Sequence, residues 1–241
     1  MEKSLADILC KTSTIVDGNM SFRIGDTKNS LQNRTDFLKS LRIPATKHIC
    51  MKCDHGKEIV VVTHDTHEAG ATTQEEMLTS EVLVTQEKGL ALMLLTADCL
   101  PVSFFDPVTQ TIALAHFSRE TISKMLPQKT VGFLREHLDI TPANLLIGVG
   151  PHIHTESYSF HPPAHNIQPE ILPFTTEKDG YIFVDLVTAC TTQLIQTGVS
   201  PENTSVSEID TVTSSHHFSH HRSTKQNDPE GRFATIVMLP T

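Results

Sequence analysis

What this chain lacks narrows its chemistry before any motif is read. Its longest apolar run, residues 89–95, falls far short of the roughly 20 residues that a membrane-spanning helix needs. Positive charge is not in excess: 28 acidic against 19 basic residues leave a net charge of −9, which argues against nucleic acid or an anionic membrane as main partner. A small-molecule anion stays open, because a local arginine cluster can sit within an acidic surface. The opening residues lack the basic-then-apolar order of a secretory signal, and five cysteines, an odd number, read as reduced thiols. The cytoplasm is the expected location. No charge run, internal repeat, low-complexity stretch or Pro/Gly/Ser linker divides the chain, so residues 1–241 are expected to form one domain, with a core that needs no disulfide.

Short runs rich in Val, Ile, Leu and Phe, bounded by Gly, Pro, Asp or Asn, predict strands at residues 58–63, 81–86, 90–96, 102–105, 111–116, 145–149, 181–184 and 233–239. Apolar spacing predicts helices at residues 31–41, 130–138 and 186–197, the last with Asp185 as N-cap and Gly198 just past its end. Strands outnumber helices but are interleaved with them, which points to a layered, mixed α/β fold. The largest loops are expected at residues 63–80 and 152–168.

Fourteen histidines favour a metal, and the strongest local signal is Thr96-Ala-Asp-Cys-Leu-Pro101 followed by Ala115-His116. If the hairpin between them turns about the Pro107–Val108 bond, Cys99 falls opposite His116, with Cβ atoms roughly 4.5–5.5 Å apart. That arrangement suits two ligands of one metal, or a thiolate with its imidazole. The bland alternative makes Cys99 a small buried hydrophobe and His116 a strand-end residue. Cys50-Met-Lys-Cys53-Asp-His55 resembles half a zinc site, but no second Cys-x-x-Cys follows at finger spacing; His55 can instead join a distant cluster. The histidines of segment 214–222, the pair His152 and His154, and the pair His64 and His67 read more readily as polar loops than as ligands.

Taken in order, these pieces resemble the YfiH-type laccase-domain family, also called multicopper polyphenol oxidases and now described as purine nucleoside phosphorylases. The resemblance runs nearly end to end. Met20-Ser-Phe-Arg-Ile-Gly-Asp26 and Gln32-Asn-Arg34 resemble its N-terminal strand and helix, and Asp54-His55-Gly56 sits where the family has Gln-Val-His-Gly. Gly89-Leu-Ala-Leu and Thr96-Ala-Asp-Cys-Leu-Pro-Val102 resemble its central block, and Ala115-His116 opens its A-H-A-G-W-R-G-T motif. Gly150-Pro151, Ile153 and Tyr158, then Phe218-Ser219, Arg222 and Gly231-Arg232, resemble its closing blocks. Segment 117–121 departs, being Phe-Ser-Arg-Glu-Thr without the motif's Trp and both Gly; Ser157 and Val212 replace two family cysteines.

The resemblance implies a four-layer α/β/β/α sandwich and a zinc site which, carried over by position, consists of His55, Cys99 and His116. Three protein ligands leave a fourth position open, the pattern of catalytic zinc. The implied reaction is phosphorolysis of adenosine or inosine, with adenosine deamination as a second activity. Arg222 and Arg232 are candidate phosphate holders, since a guanidinium fork matches phosphate oxygens; Arg119 and Asp98 are candidate catalytic residues. Asp98 reads equally well as a capping residue. The expected partners are a purine nucleoside and phosphate, with the chain a monomer or homodimer. Rival readings are a metal-free hydrolase with Cys99 as nucleophile and His116 as base, a peptidoglycan-precursor editing enzyme, and a nucleoside-binding protein without turnover. Multicopper oxidation fits poorly, because only His152 and His154 form a His-x-His pair.

Overall fold

The computed structural model describes residues 4–66, 68–161 and 167–241. His67 therefore lies outside the described residues. The chain runs through β1 (Leu9–Thr12), α1 (Thr27–Ser40), β2 (His48–Lys52), β3 (Ile59–Val61), β4 (Leu78–Thr79), β5 (Val82–Thr85) and β6 (Ala91–Thr96). It continues through β7 (Leu100–Asp106), β8 (Thr111–Phe117), α2 (Arg119–Ser123), α3 (Leu126–Leu138), β9 (Leu146–Val149) and β10 (Ser159–Phe160). Then come β11 (Thr175–Lys178), β12 (Tyr181–Val184), α4 (Leu186–Gln196), β13 (Thr204–Val206), α5 (His220–Gln226) and β14 (Phe233–Met238). Among the described residues no helix is long and apolar enough to cross a membrane.

Two mixed sheets face each other. One has the order β1-β14-β6-β2-β4, the other β13-β9-β7-β8-β5-β3; a three-stranded sheet, β10-β12-β11, stands apart. Side chains alternate between the faces of a strand, and the inner strands here are apolar on both. Leu92 and Leu94 of β6 meet Leu83 of β5, Phe105 of β7, and Ile112 and Leu114 of β8 in the layer between the sheets. The opposite face of the first sheet, with Met93 and Ile236, packs on Phe37 and Leu38 of α1. The outer face of the second, with Val82, Val102, Phe104 and Ala113, packs on Ile122, Val131, Leu134 and Leu194 of α2, α3 and α4. The architecture is the expected four-layer α/β/β/α sandwich.

All eight anticipated strands and three anticipated helices form, with shifted ends. The helix α1 begins earlier than expected because Asp26 caps it, accepting from the backbone N–H groups of Lys28 and Asn29. Pro127 sits in the first turn of α3, so that helix also begins before residue 130. Asp185 caps α4 by accepting from Thr188 N, and Gly198 follows its end at φ +97°, the left-handed region.

The hairpin of β7 and β8 departs from the expected register. Asp106 pairs with Thr111, so residues 107–110 form a four-residue loop, held by Asp106 accepting from the N–H and hydroxyl of Thr109. His116 consequently pairs with Pro101 and not with Cys99. Because the slip is two residues, Cys99 keeps the same face and becomes a diagonal neighbour of His116.

Strand β1, near the start of the chain, pairs with β14, near its end, so no cut divides the sequence into halves that each own a sheet. The whole chain is expected to behave as one domain. Limited proteolysis should nick segments 68–80 or 223–229 first and leave the remainder associated. Release of two stably folded halves would refute that reading.

Candidate metal centre

Where the apolar rows of the inter-sheet layer run out, four elements place polar residues in the same row. On β8, His116 follows Ile112 and Leu114; before β5, Glu81 precedes Leu83; before β7, Cys99 continues the row of Phe105; after β2, Cys53 follows Ile49 and Met51. The alternation that builds the core thus carries these side chains to one end of it. His55 joins from the loop beyond Cys53, its ring centroid 5.4 Å from that of His116.

Glu81 organises this cluster. Its side chain is fully buried, and Oε2 accepts from His116 Nδ1 at 2.7 Å. Its other oxygen accepts from the backbone N–H groups of Asp54 and Gly56, at 2.8 and 3.2 Å, and so anchors the loop that carries His55. With Nδ1 engaged, His116 turns Nε2 toward the thiols; carboxylate–histidine–metal triads fix ligand tautomers in this way. Burial works against a charged Glu81, but the His116 contact and the backbone donors outweigh it and hold its pKa below the usual carboxylate range. Burial likewise opposes charge on His116, yet the sulfurs of Cys53 and Cys99 on its ring raise its pKa well above the ordinary histidine value.

His55 adopts φ +63°, and its carbonyl accepts from Lys124 Nζ. Its Nδ1 lies 3.1 Å from Glu120 Oε2, with the imidazole 44% exposed. Asp98, at φ +87°, shapes the turn that presents Cys99. Both of its carboxylate oxygens are engaged: Oδ1 accepts from Thr211 Oγ1 at 2.6 Å, Oδ2 from His221 N at 2.7 Å. These contacts make it a capping clamp on that turn, the alternative role that the sequence allowed.

Two clefts meet at the cluster. Both are lined by His55, Ala97, Cys99 and His220. The first, about 400 Å³, adds the cationic side chains of Arg23, Lys52 and Arg232. The second, about 350 Å³, adds Arg119, Ile153, Tyr158 and Phe160. Arg119 lies over the Phe160 ring at 5.0 Å, and its buried Nε has no partner among the described residues. Burial pushes the Tyr158 hydroxyl up to about 12, so it stays protonated.

Arg222 does not fit its expected role. Its Nε donates to Asp228 at 2.7 Å, Nη1 to the carbonyls of Thr211, Val212 and Ser214, and Nη2 to that of His217. The guanidinium ties a loop together and spends most of its donors there. Arg232 lines the first cleft but leans on Glu230, 3.2 Å away, and on the carbonyl of Gly231. Cys50 points to the opposite side of its sheet from Cys53, among Met93 and Ile236, so Cys50-x-x-Cys53 forms no zinc half-site. Glu81, Arg23 and Lys52 were missed in the sequence; the only hint for Glu81 is its place at the head of a run that is otherwise apolar.

The donor set tests well for a transition metal. Two imidazoles and thiols in reach of one another are borderline-soft ligands suited to zinc or copper, not to magnesium or calcium. His116 is also pre-oriented for ligation.

The fold and cluster define a four-layer sandwich carrying a candidate metal centre at the end of its inter-sheet layer. A family model described as multi-copper polyphenol oxidoreductase laccase matches residues 11–240, and the chain belongs to that family. It is 26% identical over 227 residues to the purine nucleoside phosphorylase YlmD of Geobacillus stearothermophilus, covering 91% of this chain and 82% of that protein. It is 27% identical over 224 residues to the purine nucleoside phosphorylase SCO2081 of Streptomyces coelicolor, covering 92% and 87%. The crystal structure of Geobacillus stearothermophilus YlmD superposes with a TM-score of 0.83 at 25% identity, covering 92% of this chain and 85% of that one. That of Bacillus licheniformis YfiH gives 0.84 at 21% identity, covering 97% and 93%, a likeness of fold.

Two expectations follow. Glu81→Gln should weaken zinc or cobalt binding by about 10–100-fold, read by competition with a chelator. Because the folded-state pKa of Glu81 is depressed, its stabilising contribution is present above the unfolded value, about 4.3, and is lost as pH falls through the folded value. The stability gap between wild type and Glu81→Gln should thus close on acidification. Arg222→Ala should destabilise by about 1–3 kcal/mol in chemical unfolding, through carbonyls left without a donor.

Proposed function

We propose that this chain is a zinc-dependent purine nucleoside phosphorylase acting on adenosine or inosine. The observation that carries the reading is the convergence of His55, Cys99 and His116 where two clefts meet, with Glu81 fixing His116. Relatives named purine nucleoside phosphorylase along most of the chain support the reaction class. Zinc held by those three side chains would supply a Lewis acid to polarise a substrate oxygen.

The remaining work falls to the protein. Phosphate attacks C1′ of the ribose as the bond to the base breaks, so an anion must be held beside a sugar that develops positive charge. Arg23, Lys52 and Arg232 provide cations for that anion in the first cleft. Tyr158 and Phe160 offer an aromatic wall for a flat base in the second, with the Tyr158 hydroxyl and Arg119 as donors at its edge. Asp98 holds Cys99 in place.

A second reading is favoured by one arrangement: Glu81, His116 and Cys99 stand in the order orienter, base, nucleophile, as a thiol hydrolase would need. One experiment separates the two. Protein purified without added metal should hold about one zinc per chain, bound more weakly in Cys99→Ala and in His116→Ala. It should cleave adenosine or inosine only when phosphate is present. Arg232→Lys should raise the phosphate KM more than the nucleoside KM, because a point charge replaces a fork. Zinc without turnover of any purine nucleoside would sink the phosphorylase reading, and turnover that survives zinc removal would establish the hydrolase.

A further inference from the structure

Cys53 lies outside the proposed ligand set of His55, Cys99 and His116, yet it does not sit like a structural cysteine. Cys50 and Cys190 show what that looks like: both are fully buried among apolar side chains, in the layers behind the two sheets. Cys53 instead lines the cationic cleft beside Cys99 and His116. Its Sγ lies with donor atoms of Glu81 and His116 in a group whose members are all within 4.8 Å of one another. Cys99 presses on the same imidazole from its own turn.

Glu81 cannot complete that group as a ligand. Oε2 is bound to His116 Nδ1, and Oε1 to the N–H groups of Asp54 and Gly56. Releasing either oxygen would free the imidazole or the loop that carries His55. The atoms left to face a metal at His116 Nε2 are therefore the two sulfurs, with His55 alongside. Zinc binds sulfur at about 2.3 Å and imidazole nitrogen at about 2.1 Å, which in a tetrahedron sets such donors about 3.6 Å apart. Side-chain rotation of the order of an ångström closes that gap.

We infer that Cys53 is a ligand of the metal held by His55, Cys99 and His116, so that the centre binds through two thiolates. The inference rests on the three-ligand reading proposed above. Two thiolates make the site softer, favouring zinc or cobalt over hard divalent cations. Both thiols give up their protons when the metal enters.

Cobalt titration of the metal-free protein tests this through the thiolate-to-cobalt charge-transfer absorption in the near ultraviolet, a readout independent of turnover. Cys53→Ser and Cys99→Ser are each expected to retain about half of the wild-type intensity, one thiolate remaining in each. Wild-type protein needs no variant for the companion measurement: zinc should protect Cys53 from alkylation by N-ethylmaleimide, read peptide by peptide in a mass spectrometer. Full intensity in Cys53→Ser with loss in Cys99→Ser, or equal alkylation of Cys53 with and without zinc, would overturn the inference and leave the three-ligand reading standing. Full intensity in Cys99→Ser with loss in Cys53→Ser would overturn the three-ligand reading. Wild-type protein that binds no cobalt would overturn both.

Discussion

The double hold of Glu81, one oxygen on His116 and the other on the loop bearing His55, is the constraint on which the rest of the site depends. A fully buried carboxylate is costly unless every lone pair finds a donor. Here three donors meet it, and two of them are backbone groups of the segment that must be positioned. The same contact that makes the charge tolerable therefore aligns an imidazole from β8 with a loop that follows β2. Without it, His55 would hang on Glu120 and Lys124, both partly exposed, and His116 could turn either nitrogen toward the thiols.

The layers explain why the cluster lies where it does. Strands β5, β7 and β8 are largely apolar on both faces, and the polar cluster falls at the end of their inward rows. The clefts open at that edge. Between them stands the wall of His55, Ala97, Cys99 and His220, so that an anion entering from one side and a flat ligand entering from the other meet at the same donors. Asp98, though not a reactive group, is the hinge of this wall. It takes an unfavourable backbone conformation and is kept there by Thr211 and the N-terminus of α5.

Much of this was legible in the sequence, and the exceptions have physical causes. Strands buried on both faces read as continuous apolar runs, so β6, β7, β8 and β14 were found. β2 was not, because His48 and Lys52 flank its apolar centre, nor were the two-residue strands β4 and β10. The ordered motifs led to the family, and His55, Cys99 and His116 line one cleft. Their partners were hidden. A carboxylate at the head of a strand looks like a solvated end, and nothing local says that His116 will cover it. Arg222 shows the converse: the sequence displays a cation, but not the four carbonyls that surround it. The hairpin register was wrong by two because the side chain of Asp106 stabilises a longer loop than a two-residue turn.

The cluster draws on both sheets, Cys53 and His55 from beyond the end of β2, and Glu81, Cys99 and His116 from around β5, β7 and β8. Its geometry is thus a vernier on how one sheet is seated over the other. A methyl group gained or lost at Leu92 or Phe105, deep in the shared layer and remote from any ligand, would reseat the sheets by a fraction of an ångström and reach the donors as a change of angle. In such a fold the packing layer serves as the adjusting screw of the candidate metal centre, and drift in core residues over evolutionary time becomes drift in the spacing of its donors.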